Sequence, residues 1–208
     1  KVIDFLLKLK MDKKYLDNVM TSGEAAMHAI NKNKFGKKFY HLGPPRDNSI
    51  FEKVKDNITN IENCDFILCT GLLDEYENDL DYYKNFLVKH NSKKLICTNP
   101  DLTVHRGSKE EYCAGYIAKI FESLGGEVIY YGKPYKEIYR MCFNETEKVL
   151  TIGDNLRTDI KGANNLNKDC LFISDGVHRS EFNNNDELKT LLTKYKVKAN
   201  YFQKELQW

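Results

Sequence analysis

Two short stretches of this sequence carry residues that could handle a phosphoryl group and a metal ion. In "YYGKPY" (130–135) Lys133 follows an apolar segment, and in "VLTIGDNLRTDIKGA" (149–163) Asp154 follows another. A carboxylate such as that of Asp154 suits Mg²⁺, which binds a few protein oxygens and keeps several waters. Asp159, near the start of the next helix, can fold back toward the same crevice. A nearby lysine would neutralise a phosphoryl group and hold a charged nucleophile in place.

Each of these residues also has a simpler interpretation. Asp154, or Asn155 beside it, could cap the helix that follows, and a Gly-Asp pair after a strand fits a cap about as well as a metal ligand. A single lysine after a strand, such as Lys133, is most often only solvated. The two motifs together, in this order and at this spacing, are more specific than either motif alone.

The elements that must position these residues follow from the alternation of short apolar segments with helical patterns. Strands are predicted at 17–23, 37–43, 64–71, 94–101, 127–132, 148–154 and 170–176. Because most of these segments are apolar throughout rather than alternating, they predict a parallel sheet covered by helices on both faces. This is a doubly wound, Rossmann-like α/β fold, in which chemistry gathers at the carboxyl ends of the strands.

Helices are predicted before, between and after these strands, at 1–11, 24–33, 74–91, 110–126, 134–143, 158–167 and 186–196. The helix at 110–126 should bury one stripe of side chains and end at Gly125-Gly126. That stripe comprises Tyr112, Tyr116, Ile120 and Leu124. Pro134 should lie in the first turn of its helix, where proline is tolerated.

Composition narrows the class of protein and its partners. Lys+Arg 32 against Asp+Glu 30 gives a net charge of +2, too balanced to argue for nucleic acid or a membrane surface as a partner. The apolar runs are too short to span a bilayer, and no signal peptide is visible. The six cysteines never form C-x-x-C, which predicts free, buried thiols in a reducing cytoplasm. The sequence leaves open whether the chain forms a homo-oligomer.

Four motifs together resemble a known family. "GKPYKEIY" (132–139) and "VLTIGDNLRTDIKGANNLN" (149–167), with "DFILCTG" (65–71) and "ICTNPD" (96–101) upstream, are similar to motifs of the haloacid dehalogenase-like phosphatases. The likeness covers nearly the whole chain and is strongest to the sugar and nucleotide phosphatases with an α/β cap inserted in mid-chain.

The resemblance implies how the chain is divided. Residues 1–23 would be the first part of a core domain, 24–126 the inserted cap, and 127–208 the second part of the core. The core would be incomplete at its N-terminus.

The resemblance also implies an activity. The implied activity is that of a Mg²⁺-dependent phosphomonoesterase, which would act on a small phosphorylated metabolite, such as a sugar or nucleotide phosphate, through an aspartyl-phosphate. By position in the motifs, Lys133 would be the catalytic lysine, Asp154 the metal ligand and Asp159 an auxiliary carboxylate. Each assignment is an expectation carried over from the family.

Substrate-binding residues are expected at a strand end of the cap. Thr98, Asn99 and Asp101 could face the leaving group of the substrate. The alternative, that "TNPD" is only a turn with Pro100 setting its φ, fits equally well. Two other residues have weaker claims: Arg46 could contact substrate but fits a surface loop better, and His178 could approach the core site.

The sequence departs from the family at one motif. The family places D-x-D, which carries the nucleophile and the acid-base residue, at the end of an N-terminal strand, and this chain has none there. The acidic stretch 72–81 is predicted to be helical and does not replace it. We therefore expect the motif upstream of residue 1, and little phosphatase activity from this chain as given. The alternative is a non-catalytic binding or regulatory module of the same fold. A phosphoacceptor receiver domain fits less well, because the chain is longer than one small domain.

Overall fold

The computed structural model describes residues 2–106, 109–144 and 146–207. The chain forms two compact units, Lys1–Gly132 and Lys133–Trp208. Each unit contains a parallel sheet connected through helices, so the predicted α/β class is confirmed. No helix within the described ranges is long and apolar enough to cross a bilayer.

The first unit is organised around a four-stranded sheet. Its strands in the described residues are β1 (Phe39–Leu42), β2 (Phe66–Cys69), β3 (Lys94–Cys97), β4 (Thr103–Arg106), β5 (Lys109–Tyr112) and β6 (Glu127–Tyr130). Strands β1, β2, β3 and β6 pair in that order, all parallel. Every side chain of β2 is buried, which accounts for its continuous apolar sequence, because an inner strand is covered on both faces.

The helices of the first unit are mostly short. They are α1 (Val2–Lys8), α2 (Ser22–Asn31), α3 (Leu80–Leu87) and α4 (Ala114–Ser123), with 3-10 turns at Lys13–Tyr15, Pro45–Ile50, Glu52–Asn57, Asp74–Tyr76 and Val88–His90. The helix predicted at 74–91 is therefore broken, and its α-helical part starts at Leu80. Asp79 caps that start by accepting a hydrogen bond from the Tyr82 N–H at 2.9 Å.

The strand predicted at 17–23 is wrong. Residues 13–18 form a 3-10 helix and turns, and Ser22 already lies in α2. Thr21 is the N-cap of this helix: its hydroxyl accepts the Glu24 N–H at 3.1 Å, while Glu24 Oε2 accepts the Thr21 N–H at 3.3 Å. This capping box satisfies amide groups at the helix start, which a strand ending at the same residues could not do.

The helix predicted at 110–126 starts later than expected. Strands β4 and β5 form an antiparallel hairpin in which Thr103 pairs with Tyr112, so Tyr112 cannot belong to the helical stripe. Helix α4 begins only after Cys113. Its buried side comprises Ala114, Gly115, Ile117, Ala118, Ile120 and Phe121. Of the predicted stripe, only Ile120 is part of this buried side.

The second unit has a three-stranded parallel sheet. The strands β7 (Leu150–Gly153), β8 (Asp169–Ile173) and β9 (Tyr201–Gln203) pair in that order. The helical segments are α5 (Lys136–Tyr139), a π-helix at Leu156–Ile160, α6 (Lys161–Asn165) and α7 (Asn185–Tyr195). Strand β9 was not predicted. The core of the unit is formed by Leu156, Ile160, Ala163, Cys170, Phe172, Leu188, Leu191 and Val197.

The two compact units divide after Gly132, whereas the boundary predicted between cap and core lies at residue 126. Strand β6 lies between these positions and pairs with β3, with Glu127 opposite Lys94. Residues 127–132 and 1–23 are thus in the same compact unit as 24–126. The assignment of 24–126 as an inserted cap stays a prediction.

Candidate active site

The first predicted site residue, Asp154, directly follows the carboxyl end of β7. The sequence left open whether Asp154 or Asn155 caps the helix that follows, and the structure shows which residue does so. The cap of the following π-helix is Asn155, whose Oδ1 accepts the Arg157 N–H at 2.9 Å. Because Asn155 caps the helix, the Asp154 carboxylate is not used for that purpose.

The Asp154 carboxylate is held from one side only. Its Oδ2 accepts the Val177 N–H at 3.0 Å, and no hydrogen-bond partner of Oδ1 lies among the described residues. Gly176 makes this approach possible, since a Cβ there would lie 2.3 Å from Oδ2 of Asp154. One carboxylate oxygen is therefore fixed, and the other is available to a ligand.

The donor set at Asp154 fits Mg²⁺. This ion needs only one or two protein carboxylates, because it keeps most of its waters. Nowhere in the described ranges do three or more His, Cys, Asp or Glu side chains come together as a metal site.

Lys133 and Asp159 form an ion pair. Lys133 Nζ lies 2.5 Å from Asp159 Oδ1, and Asp159 Oδ2 accepts the Asn155 N–H at 3.1 Å. Asp159 is 5% exposed, whereas 52% of the Lys133 side chain is exposed. Gly153 leaves room for the buried carboxylate, because a Cβ at this position would lie 2.3 Å from Asp159. Both oxygens of Asp159 are engaged, and the ammonium of Lys133 has hydrogens left for a further acceptor.

The backbone around Lys133 differs from the prediction in one detail. Pro134 was expected in the first turn of a helix, but α5 begins at Lys136 with Tyr135 as its N-cap. Lys133 and Pro134 lie in the turn before the helix. A short turn therefore holds the lysine.

A buried histidine adjoins this site. His178 is fully buried; its Nε2 lies 3.1 Å from the Leu156 amide nitrogen and its Nδ1 2.6 Å from Glu181 Oε1. The sequence suggested only that His178 could approach the site, and Glu181 was missed. A glutamate three residues after a histidine is a signal that could have indicated their contact.

The predicted substrate residues all lie in the first unit, at the end of β3. Thr98 is buried, and its backbone N–H and its hydroxyl both donate to the Cys69 carbonyl, at 3.1 and 3.3 Å. Asn99 Oδ1 accepts the Asp101 N–H at 3.2 Å, which is an Asx turn. The turn predicted as the simpler alternative is therefore present, and contact with substrate stays a prediction.

A polar cavity of about 260 Å³ lies beside these residues in the first unit. Asn99, Arg46, Asp74 and Glu111 are among its lining residues. Arg46 forms an ion pair with Asp74, and both side chains are more than half exposed. Since carboxylates outnumber cations here, this cavity does not favour a phosphate.

Comparison with known proteins bears on both units. A family model described as HAD-hydrolase-like matches residues 130–198, which cover most of the second unit. The ribonucleotide monophosphatase NagD of Escherichia coli (strain K12) is 28% identical over 165 residues, or 77% of this chain. A solved haloacid dehalogenase-like hydrolase from Brucella suis 1330 superposes with a TM-score of 0.71 at 26% identity, covering 91% of this chain and 72% of its own. In sequence and in fold, this chain is similar to the haloacid dehalogenase-like hydrolases.

Further similarities extend the fold comparison but also show its limits. The p-nitrophenyl phosphatase from Archaeoglobus fulgidus has a TM-score of 0.73, with 98% of this chain and 77% of its own covered. At 16% identity, this match concerns the fold alone. The chain spans 64% of the length of NagD.

Proposed function

We propose that this haloacid dehalogenase-like chain is part of a Mg²⁺-dependent phosphatase that hydrolyses the phosphomonoester of a small metabolite. The observation that carries the proposal is the division of labour between two carboxylates in the second unit. Asp154 keeps one oxygen without a protein partner, while Asp159 is buried and paired with Lys133. A cation ligand and a positioned lysine are the groups that phosphoryl transfer needs to balance charge.

Lys133 would bind the phosphoryl group. Its ammonium can donate to a phosphoryl oxygen while it keeps its contact with Asp159 Oδ1. Asp159 fixes the lysine, because its own position is set by the Asn155 N–H on Oδ2. This supports the auxiliary role proposed for Asp159.

Asp154 would hold the cation through Oδ1. When bound, Mg²⁺ stabilises the negative charge on the phosphoryl oxygens. The Val177 N–H donates to Oδ2 and so favours one orientation of the carboxylate, with Oδ1 left for the cation.

The nucleophile must be a different group. Both oxygens of Asp159 are occupied and Asp154 is assigned to the cation, so neither is free to attack phosphorus. We propose that an aspartate in a segment preceding residue 1 attacks. Its oxygen bonds to phosphorus, the bond to the leaving alcohol breaks, and a second carboxylic acid gives that alcohol a proton. Water then attacks phosphorus, with the second carboxylate taking its proton; the bond between phosphorus and the aspartate oxygen breaks, which releases inorganic phosphate and the free carboxylate.

The substrate is proposed to be a phosphorylated small molecule, such as a sugar or nucleotide phosphate. NagD is named a ribonucleotide monophosphatase, and the structural neighbour from Archaeoglobus fulgidus is named a p-nitrophenyl phosphatase. Thr98, Asn99 and Asp101 are the proposed contacts to the leaving group.

The activity test compares a parent protein that includes the upstream D-x-D segment with its Asp154→Asn variant. With p-nitrophenyl phosphate and Mg²⁺, we expect the variant to lose about 10²-fold or more in kcat, as for other groups that stabilise transition-state charge. The matched control is Asp169→Asn, the same change at an exposed residue. Asp169 is the first residue of β8 and so lies at the amino end of this strand, whereas Asp154 follows the carboxyl end of β7. This control should keep its activity.

Two results would contradict the proposal. Unchanged activity of Asp154→Asn would refute its role as metal ligand. Rapid turnover by the 208-residue chain itself would refute an upstream nucleophile. An inactive parent that still binds phosphorylated metabolites would favour the non-catalytic alternative.

A further inference from the structure

His178 has only one arrangement of its ring protons that fits its contacts. An amide N–H can only donate, so Nε2 must accept the hydrogen bond from Leu156 at 3.1 Å. The neutral ring then carries its proton on Nδ1, which donates to Glu181 Oε1 at 2.6 Å. The side chain is fully buried, so both contacts are shielded from solvent.

Glu181 is itself held in place from α7. The Tyr195 hydroxyl lies 3.1 Å from Glu181 Oε2, and Lys194 Nζ lies 3.5 Å from the same oxygen. Burial alone would raise the pKa of Glu181, but the hydrogen bonds from His178 and Tyr195 outweigh it and lower this pKa. Glu181 is therefore an ionised acceptor near neutral pH, and it selects the ring orientation of His178.

Two hydrogen bonds of opposite direction join the His178 segment to the loop after β7. The Leu156 N–H donates to His178, and the Val177 N–H donates to Asp154 Oδ2. Their residues are adjacent or nearly so in both segments, so the first contact sets the register in which the second can form. Loss of the first contact would therefore loosen the position of the Val177 amide opposite Asp154.

We propose that His178 is a positioning residue for Asp154: through its bond to the Leu156 amide it holds the Val177 N–H on Oδ2 and leaves Oδ1 for the cation. This inference rests on the proposed function, in which Asp154 binds Mg²⁺. Glu181 acts one step further away, by keeping Nε2 of His178 as the acceptor.

The main test measures hydrogen exchange of the Val177 amide in the metal-free 208-residue chain. His178→Asn can still donate near Glu181 but cannot reach Leu156, whereas the amide oxygen of His178→Gln can take the position of Nε2. We expect Val177 to exchange about tenfold faster in His178→Asn, relative to the Ser174 amide of the same unit, which donates to the Gln203 carbonyl. His178→Gln should restore most of the protection.

A second measurement titrates the same variants with Mg²⁺ alone. Mutation of a residue that orients a metal ligand typically changes metal affinity by about 10–100-fold. We therefore expect His178→Asn to bind Mg²⁺ at least about tenfold more weakly than the unchanged 208-residue chain, which is the parent in these tests and in those below. Leu191→Ala is the control for lost stability, because Leu191 is buried in the core of this unit and makes none of these hydrogen bonds. It should lower stability and leave Mg²⁺ affinity unchanged.

Equal protection of Val177 in the parent and in both His178 variants would overturn the inference. So would a loss of Val177 protection in Leu191→Ala as large as in His178→Asn, since the protection would then follow the stability of the unit and not the contact of His178. Asp154→Asn separates the two proposals: if it binds Mg²⁺ as tightly as the parent, the metal assignment fails. The exchange measurement contains no metal and still decides whether His178 positions Asp154.

Discussion

At the scale of single residues, the site depends on which of two adjacent side chains, Asp154 or Asn155, caps the following helix. Asp154 and Asn155 are both plausible helix caps by residue type. Asn155 is the cap because its side chain reaches the Arg157 N–H, while Val177 holds Asp154 from another segment. Whether the Asp154 carboxylate is left for a cation therefore depends on its contact with Val177, which lies 23 residues later in the chain.

Glu181 should give the chain a measurable dependence of stability on acid. Its pKa in the folded protein is lowered below the ordinary value of 4.5, so the folded state favours the ionised form. The stabilisation is complete above the unfolded pKa and is lost as the pH falls through the folded pKa. We expect Glu181→Gln to make the free energy of unfolding less dependent on pH on the acid side.

The measurement is urea unfolding of both proteins between about pH 3 and pH 7. Glu205→Gln is the matched control, because Glu205 is exposed. It should follow the parent at every pH. Parallel curves for the parent and Glu181→Gln would contradict the expected link between Glu181 ionisation and folding.

At the scale of elements, local sequence signals competed and the stronger one won. The stretch 17–23 contains an apolar pair typical of a short strand, but Thr21 and Glu24 have the spacing of a capping box. Residues 110–112 fit a helical stripe, yet they pair with β4 because the hairpin satisfies their backbone groups. Both errors arose at element ends, where period and capping signals overlap.

Removing the capping hydroxyl should destabilise α2. Thr21→Ala loses the acceptor for the Glu24 N–H, and we expect the free energy of unfolding to fall by about 1 kcal/mol. Thr21→Ser keeps the hydroxyl, so its free energy of unfolding should fall by at most about a few tenths of a kcal/mol. Urea unfolding followed by circular dichroism measures both. Equal stability of Thr21→Ala and the parent would show that the capping box does not stabilise the helix.

At the scale of the whole molecule, the cysteines report on the interior of both units. All six are free, and five of them are buried, namely Cys64, Cys69, Cys97, Cys113 and Cys170. The exception is Cys142, which is exposed, contrary to the prediction that the thiols are buried. Burial raises the pKa of Cys97 to about 12, so its thiolate is scarce near neutral pH.

We therefore expect a thiol reagent to modify one cysteine quickly in the native chain and all six in urea. Cys142→Ser should remove the fast phase and leave the other five for the unfolded state. The check is absorbance of the released chromophore under native and denaturing conditions. Any fast thiol in Cys142→Ser would mean that at least one buried cysteine becomes accessible readily. The reducing, cytoplasmic setting expected from these cysteines stays a prediction.

The sequence by itself determined the α/β class, most of the strands and the two motifs that carry Lys133, Asp154 and Asp159. These features are local: apolar strand runs, a glycine before an aspartate, and a fixed spacing along one segment. The ion pair of Lys133 with Asp159 agrees with what those motifs predicted about their proximity.

Only the tertiary structure decided which oxygen of Asp154 is available and what holds the other. It placed Val177 and His178 against the loop after β7, formed β9, and paired β4 with β5. These contacts join residues far apart in the chain, and their formation depends on how whole elements pack rather than on any local pattern. The stretch "LTIGDNLRTDIKGA" predicts a carboxylate, that of Asp154, at a strand end. The fold of the second unit determines that one oxygen of this carboxylate accepts a hydrogen bond and that the other is available to a ligand.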